Sequence, residues 1–192
     1  MPNAYVHAIE SLAAFGRSYF TEHQQKDAPH QVLGREHRLA NHDWYHAFGT
    51  LWNFEHPTPG WIAGTTEQLG KAFGAEDAEV YQAVFLAHDF TDRLHDSDSP
   101  AERKLSTAAH IFLLLHPEIL EAKCGVDVIN GRIHRVIDGQ EVWESNPETV
   151  QDYERLRSYV EKVLQNDPEM QNIVAAFEKR YRKMLRSGEW SQ

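Results

Sequence analysis

The chain has 192 residues, 41% of them hydrophobic, a formal net charge of −10 at pH 7 and a single cysteine. This composition predicts one globular domain over residues 1–192 without an intramolecular disulfide, and the negative charge argues against general binding to nucleic acid. No run approaches the roughly 20 apolar residues of a membrane span, and the amino terminus lacks the basic and apolar regions of a signal peptide, so we expect a cytoplasmic protein with no membrane partner.

Apolar residues recur at intervals of three and four along most of the chain, which predicts an all-α fold, a compact bundle of about six to eight helices. In chain order the predicted helices run from Ala4 to Phe20, from Asn41 or Asp43 to Pro57, from Glu67 to Phe73, from Asp77 to His88, from Ser99 to Leu115, from Val126 to Gly139, from Asn146 to Val160, and from Asp167 to Met184. A polar stretch, 21–31, separates the first two. No alternating stretch bounded by hairpin signals is evident, so we expect strands to be a minor feature at most.

Three of these helices begin with a clear local signal. Ser99 and Glu102 have the spacing of a capping box, and Pro100 stands at the first helical position. Asn146 and Asp167 each precede a proline, a pair that also favours a helix start. These signals predict where the fifth, seventh and eighth helices begin.

The chain contains twelve histidines, and their positions separate those expected to be solvated from those that are candidate metal ligands. Seven lie in polar stretches or at predicted helix ends, where we expect solvated side chains: His7, His23, His30, His37, His56, His95 and His116. His88 and Asp89 differ because they end an apolar helix, where an unpaired carboxylate would be costly. An imidazole beside a carboxylate, with a histidine brought in from elsewhere, can begin a divalent metal site.

Three sequence words carry a family resemblance. They are NHDWYH at 41–46, AVFLAHDFTD at 83–92 and TVQDYERL at 149–156. Together they resemble the HD superfamily of metal-dependent phosphohydrolases, most clearly over residues 38–156. The resemblance implies an all-helical HD-domain-like fold whose ligands are a histidine, a His-Asp pair and a later aspartate.

The resemblance implies a ligand set for one divalent ion: His46, His88, Asp89 and Asp152. His42 is an alternative to His46 within the first word. Asp138 is an alternative to Asp152, because it ends the predicted helix that starts at Val126. The ion would be manganese, iron, cobalt, nickel or zinc, since these ligand types do not choose among them.

Further residues bear on the chemistry. Asp92, one turn beyond Asp89, resembles the acid that positions the attacking water in nucleotidase branches of the superfamily. His110 and His134 would be the additional ligands of a second metal ion, and whether one or two ions bind is left open. Asn130 is expected to share a helix face with His134, as Glu102 does with His110. A substrate phosphate would be received by Arg103 and Lys104 or by Arg132 and Arg135.

The sequence therefore predicts an enzyme, a metal-dependent phosphohydrolase whose partner is a small phosphorylated substrate, either a phosphomonoester or a nucleotide. One alternative is an HD-fold oxygenase with two irons, which the extra histidines would permit. Another is a degenerate HD fold that serves as a binding or regulatory module, since Gly49 and Thr50 stand where the family usually has arginine and valine. The particular substrate and the oligomeric state are not readable from the motifs.

Overall fold

The computed structural model describes residues 4–27, 88 and 99–188. Most of these residues are helical, with a small antiparallel sheet, so the prediction of a mainly α-helical protein is confirmed at that level. The five longer helices are α1 (Ala4–Phe15), α2 (Phe20–Asp27), α3 (Pro100–Leu114), α4 (Glu148–Asn166) and α5 (Pro168–Ser187). Within the described ranges, no helix is both long enough and apolar enough to cross a bilayer.

The first predicted helix, 4–20, is shorter in the structure: α1 ends at Phe15, and Phe20 is already the first residue of α2. Gly16 follows α1 with a φ of +71°, a left-handed conformation that ends helices and favours glycine. A Cβ at this position would overlap the side chain of Ile133, so glycine also permits a close approach. Helix α2 then occupies the start of the polar stretch, 21–31, so this stretch does not simply separate two helices as predicted.

The three helix starts predicted from capping and proline signals are confirmed. Ser99 and Glu102 form both hydrogen bonds of the capping box, at 3.3 and 2.6 Å, and α3 begins at Pro100. Asp167 caps α5 by accepting a hydrogen bond from the backbone N–H of Met170 at 2.9 Å. Helix α4 begins directly after Pro147, as the Asn-Pro pair predicts.

The helix predicted over 126–139 is wrong, because this segment forms the sheet. Strands β1 (Val126–Asp127), β2 (Arg132–Ile137) and β3 (Gln140–Ser145) pair in that order, each antiparallel to the next. A two-residue turn joins β2 to β3, with φ values of +51° at Asp138 and +78° at Gly139. Asp-Gly is the preferred sequence for such a turn, so a hairpin signal is present in the chain. A short helical turn (Pro117–Ile119) and a π-helical turn (Leu120–Cys124) connect α3 to the sheet.

Helix α1 is the central element of the described core. It packs against α2, α3, α4 and β1, and residues 5–9 are all buried. The largest fully buried aliphatic side chains of the core are Ile9, Leu12, Ile111, Leu114, Leu120 and Leu156. Each such side chain stabilises the fold by about 1.5 to 3 kcal/mol relative to an exposed one. A helix covered on several sides must also bury its polar residues, and this brings its histidine into the interior.

A buried histidine cluster as the candidate functional site

His88 belongs to a group of three buried imidazole rings. Its ring stacks on that of His7, with ring centroids 3.8 Å apart and 19° between the planes. Its Nδ1 lies 3.0 Å from Nδ1 of His23. The exposed fractions are 1% for His7, 0% for His23 and 1% for His88. These three residues are called the histidine cluster below.

Helices α1 and α2 position this cluster. His7 and Ser11 are four residues apart on α1 and therefore share a face of the helix. His23 lies on α2, and its Nε2 is 2.9 Å from Oγ of Ser11. Both ring nitrogens of His23 are thus hydrogen bonded, one toward Ser11 and the other toward His88. Such bonds offset the cost of burying a polar ring.

The expectation that His7 and His23 are solvated is wrong. His7 is buried because α1 is covered by its neighbours on several sides. His23 is buried because residues 20–27 form a helix that packs against α1, where a polar stretch was predicted. No local pattern in the sequence marks either residue, since their contacts with His88 join distant parts of the chain.

Glu10 connects α1 to a histidine on α3. Its Oε1 lies 2.8 Å from Nε2 of His110, and Nδ1 of His110 donates to the carbonyl oxygen of Ser106 at 2.7 Å. Burial alone would lower the pKa of His110, but the hydrogen bonds to Glu10 and Ser106 outweigh it and the pKa is raised. The other carboxylate oxygen of Glu10 is 4.0 Å from Nδ1 of His7, so this acid also borders the histidine cluster. To bind a metal, His110 would have to exchange one of its two hydrogen bonds for the ion.

Asp152, the predicted last ligand, lies in the first turns of α4 against the loop between α1 and α2. Its Oδ2 accepts hydrogen bonds from the backbone N–H of Ser18 at 2.8 Å and from Nε of Arg17 at 3.2 Å. Arg17 also pairs with Glu148. His88 and Asp152 therefore contact the same α1–α2 unit, His88 through the two helices and Asp152 through the loop that joins them.

Two other candidate ligands lie on the hairpin. Asp138 is exposed at the tip of the β2–β3 turn, so the helix that made it an alternative to Asp152 does not exist. His134 lies on β2, where its ring faces Trp143 at a centroid distance of 5.3 Å. Asn130 precedes that strand in a turn and donates to the carboxylate of Asp127. The prediction that Asn130 and His134 share a helix face is wrong.

Lys104, Arg132 and Arg135, which were proposed to receive phosphate, are each paired with a carboxylate. Lys104 is bonded to Glu169 across α3 and α5. The other two pairs are Arg132 with Asp127, and Arg135 with Glu144. Arg103, which was also proposed to receive phosphate, lines a surface pocket of about 490 Å³ together with Lys104 and two tyrosines, Tyr5 and Tyr159.

The remaining predicted ligands, His46 with its alternative His42, and Asp89, lie outside the described residues, as does Asp92. Within 4–27, 88 and 99–188, no three histidine, cysteine, aspartate or glutamate side chains are arranged to hold a metal ion. The donors that are described suit such an ion. A ligand histidine usually has its second ring nitrogen hydrogen bonded, as Nδ1 of His88 has, and Asp152 takes both of its bonds on Oδ2.

Comparisons with known proteins add no relative to this picture. No protein-family model matches the chain, and neither a curated protein nor a solved structure matches it. The resemblance to the HD superfamily therefore rests on its three sequence words, and the ligand set stays a prediction.

Proposed function

We propose that the protein is a metal-dependent phosphohydrolase acting on a phosphomonoester or a nucleotide. The observation that carries the proposal is the burial of His88, the first residue of the His-Asp pair, with Nδ1 hydrogen bonded to His23. Apolar packing does not require three imidazoles at one buried place. Hydrogen-bonded support for a histidine is, in contrast, what a metal ligand needs, because it fixes the orientation of the ring.

In this proposal His46, His88, Asp89 and Asp152 hold a divalent ion. When bound, the ion would lower the pKa of a water molecule and neutralise negative charge on the phosphoryl group. Asp92 orients or deprotonates the attacking water. Arg17 and the Ser18 N–H hold Oδ2 of Asp152, which fixes the carboxylate on the α1–α2 loop.

The charge balance also supports a metal. The chain has a net charge of −10, and Lys104, Arg132 and Arg135 are each paired with a carboxylate. An anionic substrate would therefore meet little free positive charge on these side chains. A bound divalent ion supplies that charge directly, as the largest local charge in its site.

Elemental analysis of the purified protein tests the proposal. We expect about one or two transition-metal ions per chain in wild type, and loss of the metal in Asp89→Ala and Asp152→Ala. Asp138→Ala is the matched control, because it removes an exposed acid at the hairpin tip and should keep the metal. A screen of nucleotides and phosphomonoesters for phosphate release, run on the same four proteins, then tests the reaction.

The outcomes separate the alternatives. Absence of metal from wild type, even after manganese, iron, cobalt, nickel and zinc have been supplied, would overturn the phosphohydrolase and leave a binding module. Two irons with an oxygen-dependent visible spectrum would favour the oxygenase instead. Loss of metal in Asp138→Ala with retention in Asp152→Ala would exchange the roles of these two aspartates.

A further inference from the structure

Ser11, His23 and His88 are linked by a row of two hydrogen bonds. The direction in which these bonds donate determines which ring nitrogen of His88 carries its proton. Oγ of Ser11 lies 2.9 Å from Nε2 of His23, and Nδ1 of His23 lies 3.0 Å from Nδ1 of His88. A neutral imidazole carries one N–H donor and one acceptor nitrogen, so the tautomer of one ring sets the tautomer of the next. Ser11 can stand at the end of the row in either direction, because a hydroxyl both donates and accepts.

Two proton arrangements fit these distances. In the first, Nδ1–H of His88 donates to Nδ1 of His23, and Nε2–H of His23 donates to Ser11. In the second, Ser11 donates to Nε2 of His23, Nδ1–H of His23 donates to His88, and His88 carries its own proton on Nε2. Only the first arrangement gives His88 an unprotonated Nε2, the form of nitrogen that binds a metal.

We propose that Ser11 and His23 are positioning residues that hold His88 in its Nδ1–H tautomer and present its Nε2 to the metal ion. This inference rests on the proposed function and adds two residues to it that no sequence word contains. His23 acts as an acceptor for His88, and Ser11 as an acceptor for His23. A fixed tautomer and ring direction raise the affinity of a ligand histidine, and loss of such a support typically weakens metal binding by about 10 to 100-fold.

Filling space in the core does not by itself explain why a histidine stands at position 23. Its two ring nitrogens each meet a polar atom at hydrogen-bond distance, and its ring is 0% exposed. His7 also contacts His88, but by stacking at 3.8 Å between centroids rather than end to end. The hydrogen bond to Nδ1 of His88 therefore comes from His23, which is itself bonded to Ser11, and not from His7.

Replacement of His23 by residues that differ in hydrogen bonding tests the proposal. His23→Leu fills the space but accepts no hydrogen bond, and we expect it to raise the Kd for Zn²⁺ by about 10 to 100-fold. His23→Asn keeps an acceptor close to the place of Nδ1 and should restore most of the affinity. His116→Leu is the matched control, a histidine bonded to Glu118 and Glu178, and its Kd should equal that of wild type.

Nitrogen NMR of histidine labelled with ¹⁵N supplies a second readout that a space-filling role would not produce. In the zinc-loaded wild type we expect His88 as the Nδ1–H tautomer, His23 as the Nε2–H tautomer, and a scalar coupling between their two Nδ1 atoms. The coupling is also expected in the metal-free protein, since the hydrogen bond joins the two rings there.

Each result has one meaning. Zinc coordinated through Nδ1 of His88, or an unchanged Kd in a folded His23→Leu protein, would overturn the positioning roles of Ser11 and His23 while leaving the metal site intact. A wild type that binds zinc and shows His88 as the Nδ1–H tautomer and His23 as the Nε2–H tautomer, but releases no phosphate from any substrate, would overturn the proposed reaction and support the positioning roles of Ser11 and His23. A wild type that binds no metal would overturn both.

Discussion

Glu10 and His110 illustrate how a single pair of side chains joins two helices. Nδ1 of His110 donates to a carbonyl oxygen, so the nitrogen facing Glu10 donates only when the ring is the imidazolium. The raised pKa of His110 has the same origin, since the carboxylate favours the charged ring against the opposing effect of burial. The pair thus ties α1 to α3 next to the histidine cluster, and its strength depends on pH.

We predict that this pair stabilises the protein more at low pH than at high pH. The pKa of His110 is higher in the folded chain than in the unfolded chain, so the contribution is complete below about pH 6.5 and is lost as the pH rises through the folded value. Glu10→Gln removes the charge but keeps a hydrogen-bonding amide. It should lower the free energy of unfolding by about 1 kcal/mol at low pH and by less at high pH.

Urea unfolding between about pH 5.5 and 8.5 measures this difference. Glu121→Gln is the control, because Glu121 is an exposed glutamate on the π-helical turn and is not among the groups that shift the pKa of His110. A loss of stability in Glu10→Gln that is the same at every pH would contradict the assignment of the effect to the charge of His110.

Among the secondary-structure elements, those that begin with local signals are the ones the sequence predicts well. The capping box at Ser99 and the cap at Asp167 depend on residues three positions apart, so the sequence contains all the information. The hairpin was missed although Asp138 and Gly139 mark its turn. The apolar residues before them recur at threes and fours, and two of these, Ile129 and Val136, are in fact 61% and 66% exposed.

Helix α1 is followed by a glycine, Gly16, whose close packing no local sequence signal marks. This glycine leads to a second prediction. Gly16 and Gly139 both have left-handed φ values, which cost a non-glycine residue about 1 kcal/mol or more. A Cβ at Gly139 would meet nothing within 4 Å, whereas at Gly16 it would overlap Ile133 and come within 3.2 Å of Thr149. Gly16→Ala should therefore lower the free energy of unfolding by about 1 to 3 kcal/mol more than Gly139→Ala.

Urea unfolding of the two variants beside wild type measures this difference. The two glycines form a matched pair, because the backbone strain is similar and only the packing differs. Equal losses in both variants would show that the contact with Ile133 relaxes without cost, and would contradict the role of close packing at the end of α1.

At the scale of the whole molecule, the candidate site could be predicted only in part. The His88–Asp89 pair is recognisable because an apolar segment and the two candidate ligands are contiguous in the sequence. The partner His23 is 65 residues away from His88, and His7 lies on another helix again. Their meeting depends on how α1, α2 and residue 88 pack together, and no periodicity within one element contains that information.

This dependence on packing leads to the last prediction, that a bound metal stabilises the fold as a whole. An ion that binds only the folded chain raises the free energy of unfolding by about 2.7 kcal/mol at a free concentration of about 100 times its Kd. Because His88 contacts both α1 and α2, hydrogen exchange should slow in these two helices when zinc is added. Asp138→Ala should respond as wild type does, and Asp89→Ala should not respond. Stabilisation of equal size in Asp89→Ala would mean that zinc acts at another place, and exchange that slows only outside α1 and α2 would separate the metal from the histidine cluster.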